Sequence, residues 1–332
     1  MNLRNQLNWF LSPGFYDYKF SDFDLLRIAT MICFLNKNKV QENLDEHVLN
    51  HKKISVNLIE IENYRNDSYL YPVYNLAIEL KKSNIKYIEH FLIHGSLATL
   101  DFKKGWSDLD TWVVINDDVF NDPKNLVELH EKFKKLNKYL FQIDSIAHHG
   151  YIILLKSNLS VYTESLMPIK VLEKSYSLMD NNLIELSILN DAKSGLYRIQ
   201  NMLDLFVKFG KTGVFEHHKY KNEYLTLESL KKRQGMYQLK YLVSLVVSIP
   251  SIYYTILGKS VYKRDSFSPF YKEFKNSSQI LFIFSEIRSM WEVEEDYPYI
   301  PNQIPQWVID KLPEDFIAKI INLIKDVNER FK

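Results

Sequence analysis

Residues Phe91 to Ile115 read FLIHGSLATLDFKKGWSDLDTWVVI, and the fold turns on this stretch. An apolar and aromatic run, Tyr87 to Ile93, ends at His94-Gly95-Ser96. A second run, Trp112-Val113-Val114-Ile115, is bounded by Asn116-Asp117-Asp118. Both have the length and residue types of strands. Gly95 lets a backbone approach a bulky anion closely. The Ser96 hydroxyl, with the N–H groups that follow, can hold phosphate oxygens. Leu97 to Leu100 is expected to open a short helix whose dipole adds to that preference. Eleven residues separate Ser96 from Asp108-Leu109-Asp110, which leads into the second strand. Alternate strand residues share a face, so Asp108 and Asp110 project together while Leu109 turns away. Their Cα atoms then lie roughly 7 Å apart, and two hard-oxygen ligands at that spacing suit Mg2+. Beside a phosphate-holding turn, such a pair suits two-metal phosphoryl or nucleotidyl transfer.

Outward from this stretch, Asn125 to Tyr139 has helical spacing, with Leu126, Leu129, Phe133 and Leu136 on one face. Phe141 to Ile146 and Tyr151 to Leu155 read as two further strands, with His148-His149-Gly150 between them. Strand, short helix, strand, helix, strand, strand makes a small unit with a mixed sheet. Before it, Ser21 caps a helix with acidic first-turn residues Asp22 and Asp24, reaching about Asn36, and another runs from Pro72 to Lys82. From Met167 onward the spacing is helical almost throughout, in Asp191–Phe209, Glu223–Leu257, Ser268–Phe284 and Glu314–Asn328, with a break at Pro298–Pro305. The expected class is α+β. A helical N-terminal region (1–85) and a helical C-terminal domain (167–332) flank a small mixed-sheet core (86–166).

The order Gly95-Ser96, spacer, Asp108-x-Asp110 resembles the polymerase-β-like nucleotidyltransferase superfamily. Its hallmark is Gly-Ser, about ten residues, then Asp-x-Asp on a strand and a third carboxylate on a later strand. The phrase GSLATLDFKKGWSDLD is similar to the small bacterial nucleotidyltransferase branch. The match covers about Tyr87 to Leu155. By that resemblance the third carboxylate falls on Asp144, in the expected strand Phe141–Ile146, with Glu164 as the alternative. The resemblance implies a nucleotidyltransferase core with Asp108, Asp110 and Asp144 as catalytic and metal-binding residues for Mg2+ or Mn2+. Gly95 and Ser96 would bind an NTP such as ATP. An NMP group would pass to an acceptor hydroxyl and pyrophosphate would leave, with Asp144 as ligand or general base. In this superfamily a helical domain often supplies a basic residue, so Lys240 and Lys263 become nucleotide-binding candidates. The expected acceptor is a small molecule. The rival readings are toxin-like modification of a protein or tRNA, and a nucleotide-binding module without catalysis.

Other residues offer less. Lys103 and Lys104 lie in the spacer, where solvated lysines are ordinary. Lys231, Lys232 and Arg233 sit near Lys240. His94 precedes Gly95, and at most one of His148 and His149 can face the site, because adjacent strand residues point to opposite faces. His217-His218 reads as exposed.

The composition bounds these readings. The chain has 332 residues, with 42 Lys+Arg against 41 Asp+Glu. That balance argues against a protein coated in positive charge for duplex DNA. The one cysteine, Cys33, excludes disulfides and multi-Cys zinc sites. It lies in the apolar run Ile28–Phe34 and reads as a small buried hydrophobe. A cytoplasmic protein is expected, since Met1 to Phe10 lacks a continuous apolar segment. Tyr241–Gly258 carries no charge, but its serines and Pro250 favour a buried helix, kinked or broken at Pro250, over a membrane span. Only nine Gly and ten Pro occur, which disfavours a many-stranded barrel. Three of the nine glycines, Gly95, Gly105 and Gly150, fall between His94 and Gly150.

Overall fold

Apolar strands buried on both faces form the centre of a mixed α+β chain. The computed structural model describes residues 3–11, 20–37, 48–83, 85–143, 150–164, 167–189, 192–216, 224–291 and 303–332. In order, the first part forms α1 (Leu3–Leu11), α2 (Asp22–Lys37), β1 (Val48–Ser55), β2 (Asn57–Leu58), α3 (Tyr71–Ser83), β3 (Ile88–Ile93), α4 (Gly95–Ala98), β4 (Thr111–Ile115), α5 (Pro123–Ile143) and β5 (Tyr151–Leu155). There follow α6 (Ile169–Glu173), β6 (Tyr176–Ser177) and β7 (Leu183–Leu189). The chain divides into two compact units, and the first holds residues 1–102, 107–163 and 171–189.

The sheet of the first unit runs β2-β6-β3-β4-β5. β3 and β4 are antiparallel, with Ile93 opposite Thr111, and β4 and β5 are parallel, with Thr111 opposite Tyr151. On one face, Phe91, Val113, Ile115, Tyr151 and Ile153 share a core with Ile32, Leu76, Phe133 and Leu136 of the helices. Each such side chain contributes about 1.5–3 kcal/mol by leaving water. On the other face, Leu92, Trp112, Val114 and Leu154 are equally inaccessible. Trp112 meets Tyr162 edge to face (6.5 Å), and Tyr162 is tied to β7 through Ser187 and Leu189. Strands covered on both faces read as continuous apolar runs, which is why WVVI lacks polar alternation. The open edge of β5 is met by Asn8 of α1, whose Oδ1 accepts the Ile153 N–H at 2.9 Å.

Local signals set several helix ends. Ser21 Oγ accepts the Asp24 N–H (3.2 Å) and the Asp24 carboxylate accepts the Ser21 N–H (3.3 Å), a reciprocal cap on α2. Asp67 Oδ1 accepts the N–H groups of Tyr69 and Leu70 just before α3. Cys33 is buried on the inner face of α2, and burial pushes its thiol pKa up.

Three expectations are corrected. Phe141–Ile143 is not strand: α5 continues to Ile143 because Leu136, Leu140 and Ile143 extend the i, i+4, i+7 stripe already buried at Leu129 and Phe133. The N-terminal region is not wholly helical. β1 pairs antiparallel with β7 over Val48–Ser55, joining the polar segment VLNHKKIS to the apolar LIELSIL. Past Met167, β6, β7 and a second strand pair interrupt the helices.

That pair belongs to the second unit, residues 103–106, 164–170 and 190–332. Its elements are α7 (Ala192–Thr212), β8 (Val214–Glu216), β9 (Tyr224–Thr226), α8 (Leu227–Lys231), α9 (Met236–Ile256), α10 (Lys263–Glu273), α11 (Gln279–Ser289), α12 (Gln306–Lys311) and α13 (Phe316–Glu329). α7 approaches α9 closely at Gly195, where a methyl group would lie 2.5 Å from Ile256 Cγ1. Among the described residues α9 is the helix long and apolar enough to cross a membrane, and 72% of its most apolar stretch is buried against the protein. It runs on through Pro250, and nearby hydroxyls bond to its backbone. Ser248 Oγ donates to Leu245 O (2.6 Å), Ser251 Oγ to Ser248 O (2.9 Å) and Thr255 Oγ1 to Ser251 O (3.0 Å). The serines that dilute this helix therefore serve the backbone around the proline.

Candidate functional site

The Gly-Ser turn and the Asp-x-Asp segment meet at the ends of β3 and β4. Pairing of Ile93 with Thr111 continues one step further, where the His94 N–H donates to Asp110 O at 3.0 Å. The next residue, Gly95, has φ +69°, a left-handed conformation that a side chain disfavours. A methyl group on Gly95 would lie 2.1 Å from Asp110 Oδ2 and 3.0 Å from its Cγ. The carboxylate of Asp110 therefore fills the space that the missing side chain leaves open. Gly95 is required twice, once by its backbone angle and once by the acid beside it.

Burial alternates along the acidic segment. Asp108 and Asp110 are half-buried, while Leu109 is 4% exposed and joins the helix-side core with Val113. The two carboxylates thus share a side and Leu109 points away. Ser96 is buried directly after Gly95.

The spacer is a built loop. α4 ends at Ala98, one turn after Gly95, and Thr99 donates both its N–H and its Oγ1 to Gly95 O at 3.1 Å. The helix expected over Leu97–Leu100 therefore stops earlier, and Leu100 lies beyond it at φ +57°. Tyr69 holds both sides of the loop. Its ring stacks on Phe102 (5.5 Å, 9°), and its hydroxyl donates to Ser107 O (3.3 Å). The tip, Lys103–Trp106, belongs to the second unit. There Trp106 packs on Trp291 (4.9 Å) and Trp291 on Trp307 (5.6 Å). Nothing in the sequence singled out Tyr69 as a clamp or Trp106 as an anchor. Asp67 just before Tyr69 was a readable cap, but not its consequence.

The remaining candidates are placed as follows. Asp144, His148, His149 and His217-His218 lie outside the described residues. β5, which directly neighbours the Asp-x-Asp strand, carries no carboxylate. Glu164 belongs to the second unit, and its Oε2 is buried without a hydrogen-bond partner among the described residues. Lys240, also in the second unit, is 5% exposed on α9, so it is not on a solvated helix face. Lys263 opens α10 in that unit. Lys103 is half-buried and Lys104 exposed. His94 is buried and leads into α4. Among the described residues, no three His, Cys, Asp or Glu side chains gather into a group able to hold a metal ion.

No protein-family model, curated protein or solved structure matches the chain.

Proposed function

We propose that the protein is a metal-dependent nucleotidyltransferase that moves an NMP group from an NTP to an acceptor hydroxyl. The observation that carries this reading is the seating of Asp110 against Gly95, which joins the Gly-Ser turn to the two carboxylates of the segment leading into β4. The space beside Gly95 is taken by the Asp110 carboxylate, so what the turn would offer a phosphate is the adjacent Ser96 hydroxyl and the N–H groups that follow.

The donor set fits Mg2+. Two carboxylates, Asp108 and Asp110, supply hard oxygens. Mg2+ is ordinarily held by one or two carboxylates, with phosphate oxygens and water completing the shell. Bound there, the ion would neutralise phosphate charge and favour the acceptor oxygen as a nucleophile. The acceptor oxygen bonds to the α-phosphorus as the bond from that phosphorus to the pyrophosphate oxygen breaks. The acceptor proton passes to a carboxylate base, the role expected of Asp144.

Purified protein incubated with Mg2+ and α-labelled NTPs, alone and with extract fractions, tests the reaction. The expected result is transfer of α-label but not γ-label, lost at least about 100-fold in Asp110→Ala. A labelled small molecule, protein or RNA identifies the acceptor class. Equal transfer by wild type and Asp110→Ala refutes the assignment. The rival in another class is a nucleotide-binding module without turnover. Its signature is NTP binding sensitive to Asp110→Ala with no label transferred.

A further inference from the structure

Leu100 occupies a position made for glycine. α4 ends at Ala98 with Thr99 as its cap, and the Asp101 N–H reaches back to Ser96 O at 3.1 Å. That bond defines a helix-terminating turn in which the residue after the cap takes the left-handed conformation, usually as Gly and sometimes as Asn. Here it is Leu100, at φ +57°. A branched side chain is disfavoured in this region, and such strain persists where something outweighs it. Burial does not outweigh it, because Leu100 is 70% exposed, the most exposed of the large hydrophobic residues in the chain's described part. The turn does not need leucine either. Its hydrogen bonds run from the Thr99 N–H, Thr99 Oγ1 and the Asp101 N–H to the carbonyls of Gly95 and Ser96, and a second link joins Thr99 Oγ1 to Asp101 Oδ1. Glycine would keep all of them.

We propose that Leu100 is an apolar contact for the nucleobase of the bound nucleotide. Leu100 lies four residues past Ser96, beyond the end of α4, in the turn that the Asp101 N–H closes on Ser96 O at 3.1 Å. A triphosphate gripped at Gly95-Ser96 is polar throughout. The flat base is the part of an NTP with apolar surface to lay on a leucine. The folded chain therefore holds an unburied apolar side chain, at a cost in backbone strain, beside the turn that would grip the phosphates. This inference rests on the nucleotide reading of the Gly95-Ser96 turn.

The test compares two probes, ATP and inorganic tripolyphosphate, each with Mg2+, by calorimetry on the full chain. Leu100→Gly and Leu100→Asn both accept the left-handed turn and remove the apolar contact. The expected result is binding of both probes by wild type, ATP affinity about fivefold or more weaker in both variants, and tripolyphosphate affinity within about twofold. Leu100→Met should keep ATP affinity, and Leu100→Gly should raise the thermal midpoint because the strain is gone. Equal weakening of both probes, or no weakening of either, overturns the base contact while leaving the phosphate turn standing. A Leu100→Gly midpoint no higher than wild type overturns the strain argument. If wild type binds neither probe, the nucleotide reading of the turn fails, and this inference with it.

Discussion

Gly95→Ala isolates the contact on which the site depends. The substitution meets two obstacles that can be separated. The backbone at φ +69° costs a residue with a Cβ about 1–2 kcal/mol. The new methyl would lie 2.1 Å from Asp110 Oδ2, where about 3.4 Å is needed for ordinary contact, so the carboxylate must move by more than 1 Å. Breaking its present arrangement adds about 1–2 kcal/mol. The total is about 2–4 kcal/mol, or a fall in thermal midpoint of about 4–16 °C for a domain of this size. If Asp110 holds a metal ion as proposed, its displacement by about 1 Å should also lower label transfer about 100-fold. A double-mutant cycle with Asp110→Ala separates the obstacles. In that background the clash with the carboxylate is gone, so Gly95→Ala should cost only the backbone part, about 1–2 kcal/mol. Chemical denaturation of the four proteins reads the coupling directly and needs no substrate. If Gly95→Ala costs the same with and without the Asp110 carboxylate, the two motif halves do not touch as described.

Other consequences can be checked independently. Trp106→Ala, which empties a buried indole site against Trp291, should cost about 3–5 kcal/mol by denaturation, and Trp106→Phe clearly less. His90 is buried with its Nδ1 3.3 Å from Asn181 O, and burial holds its pKa below the ordinary 6.5. The folded state therefore binds the proton less readily than the unfolded chain, so His90's contribution is complete above about pH 6.5 and declines as pH falls below it. Thermal midpoints at pH 7.5 and 5.5 should show that decline, and His90→Gln should flatten it. An unchanged slope in His90→Gln assigns the decline to other groups. Asn8→Ala removes the side chain that meets the β5 edge at Ile153 and should cost about 1 kcal/mol, with increased self-association seen by light scattering.

The central strands, α2, α3, α7 and α13 were legible because their signals are local. Apolar runs stop at turn residues, and capped stripes repeat every three or four residues. The failures were of two kinds. FQIDSI satisfies both periods: Phe141 and Ile143 alternate like a strand, yet Leu136, Leu140 and Ile143 continue a helical stripe, and a helix already under way needs no new nucleus. That ambiguity puts Phe141–Ile143, the first half of the expected strand, in a helix, while Asp144 lies outside the described residues. β1 failed for the opposite reason. Its segment VLNHKKIS has little apolar content, and its partner LIELSIL lies some 130 residues away. Its ion pairs, Lys53 with Glu185 of β7 and Lys52 with Glu173 of α6, form only after folding brings distant segments together. Lys240 shows a further limit. On a charge count it belongs to a basic helix face, but its position on α9 is buried, and no local pattern distinguishes the two.

The site was more legible than the third carboxylate because strand pairing fixes it. Leu109 must enter the core, and this sets the parity of its neighbours, so Asp108 and Asp110 have to share the opposite side. A slip of one residue in the β3–β4 register would bury both carboxylates and expose Leu109, an exchange the core would resist strongly. The Ile93–Thr111 pair and the His94 N–H on Asp110 O then bring the acid to the turn independently of spacer length. The eleven residues between Ser96 and Asp108 are thus free to leave the first unit at Lys103, anchor through Trp106 and return at Ser107, with Tyr69 holding the loop on both sides. Gly-Ser and Asp-x-Asp therefore act as one contact written in two places. Glycine at position 95 is dictated by the Asp110 carboxylate beside it, which a methyl group there would meet at 2.1 Å.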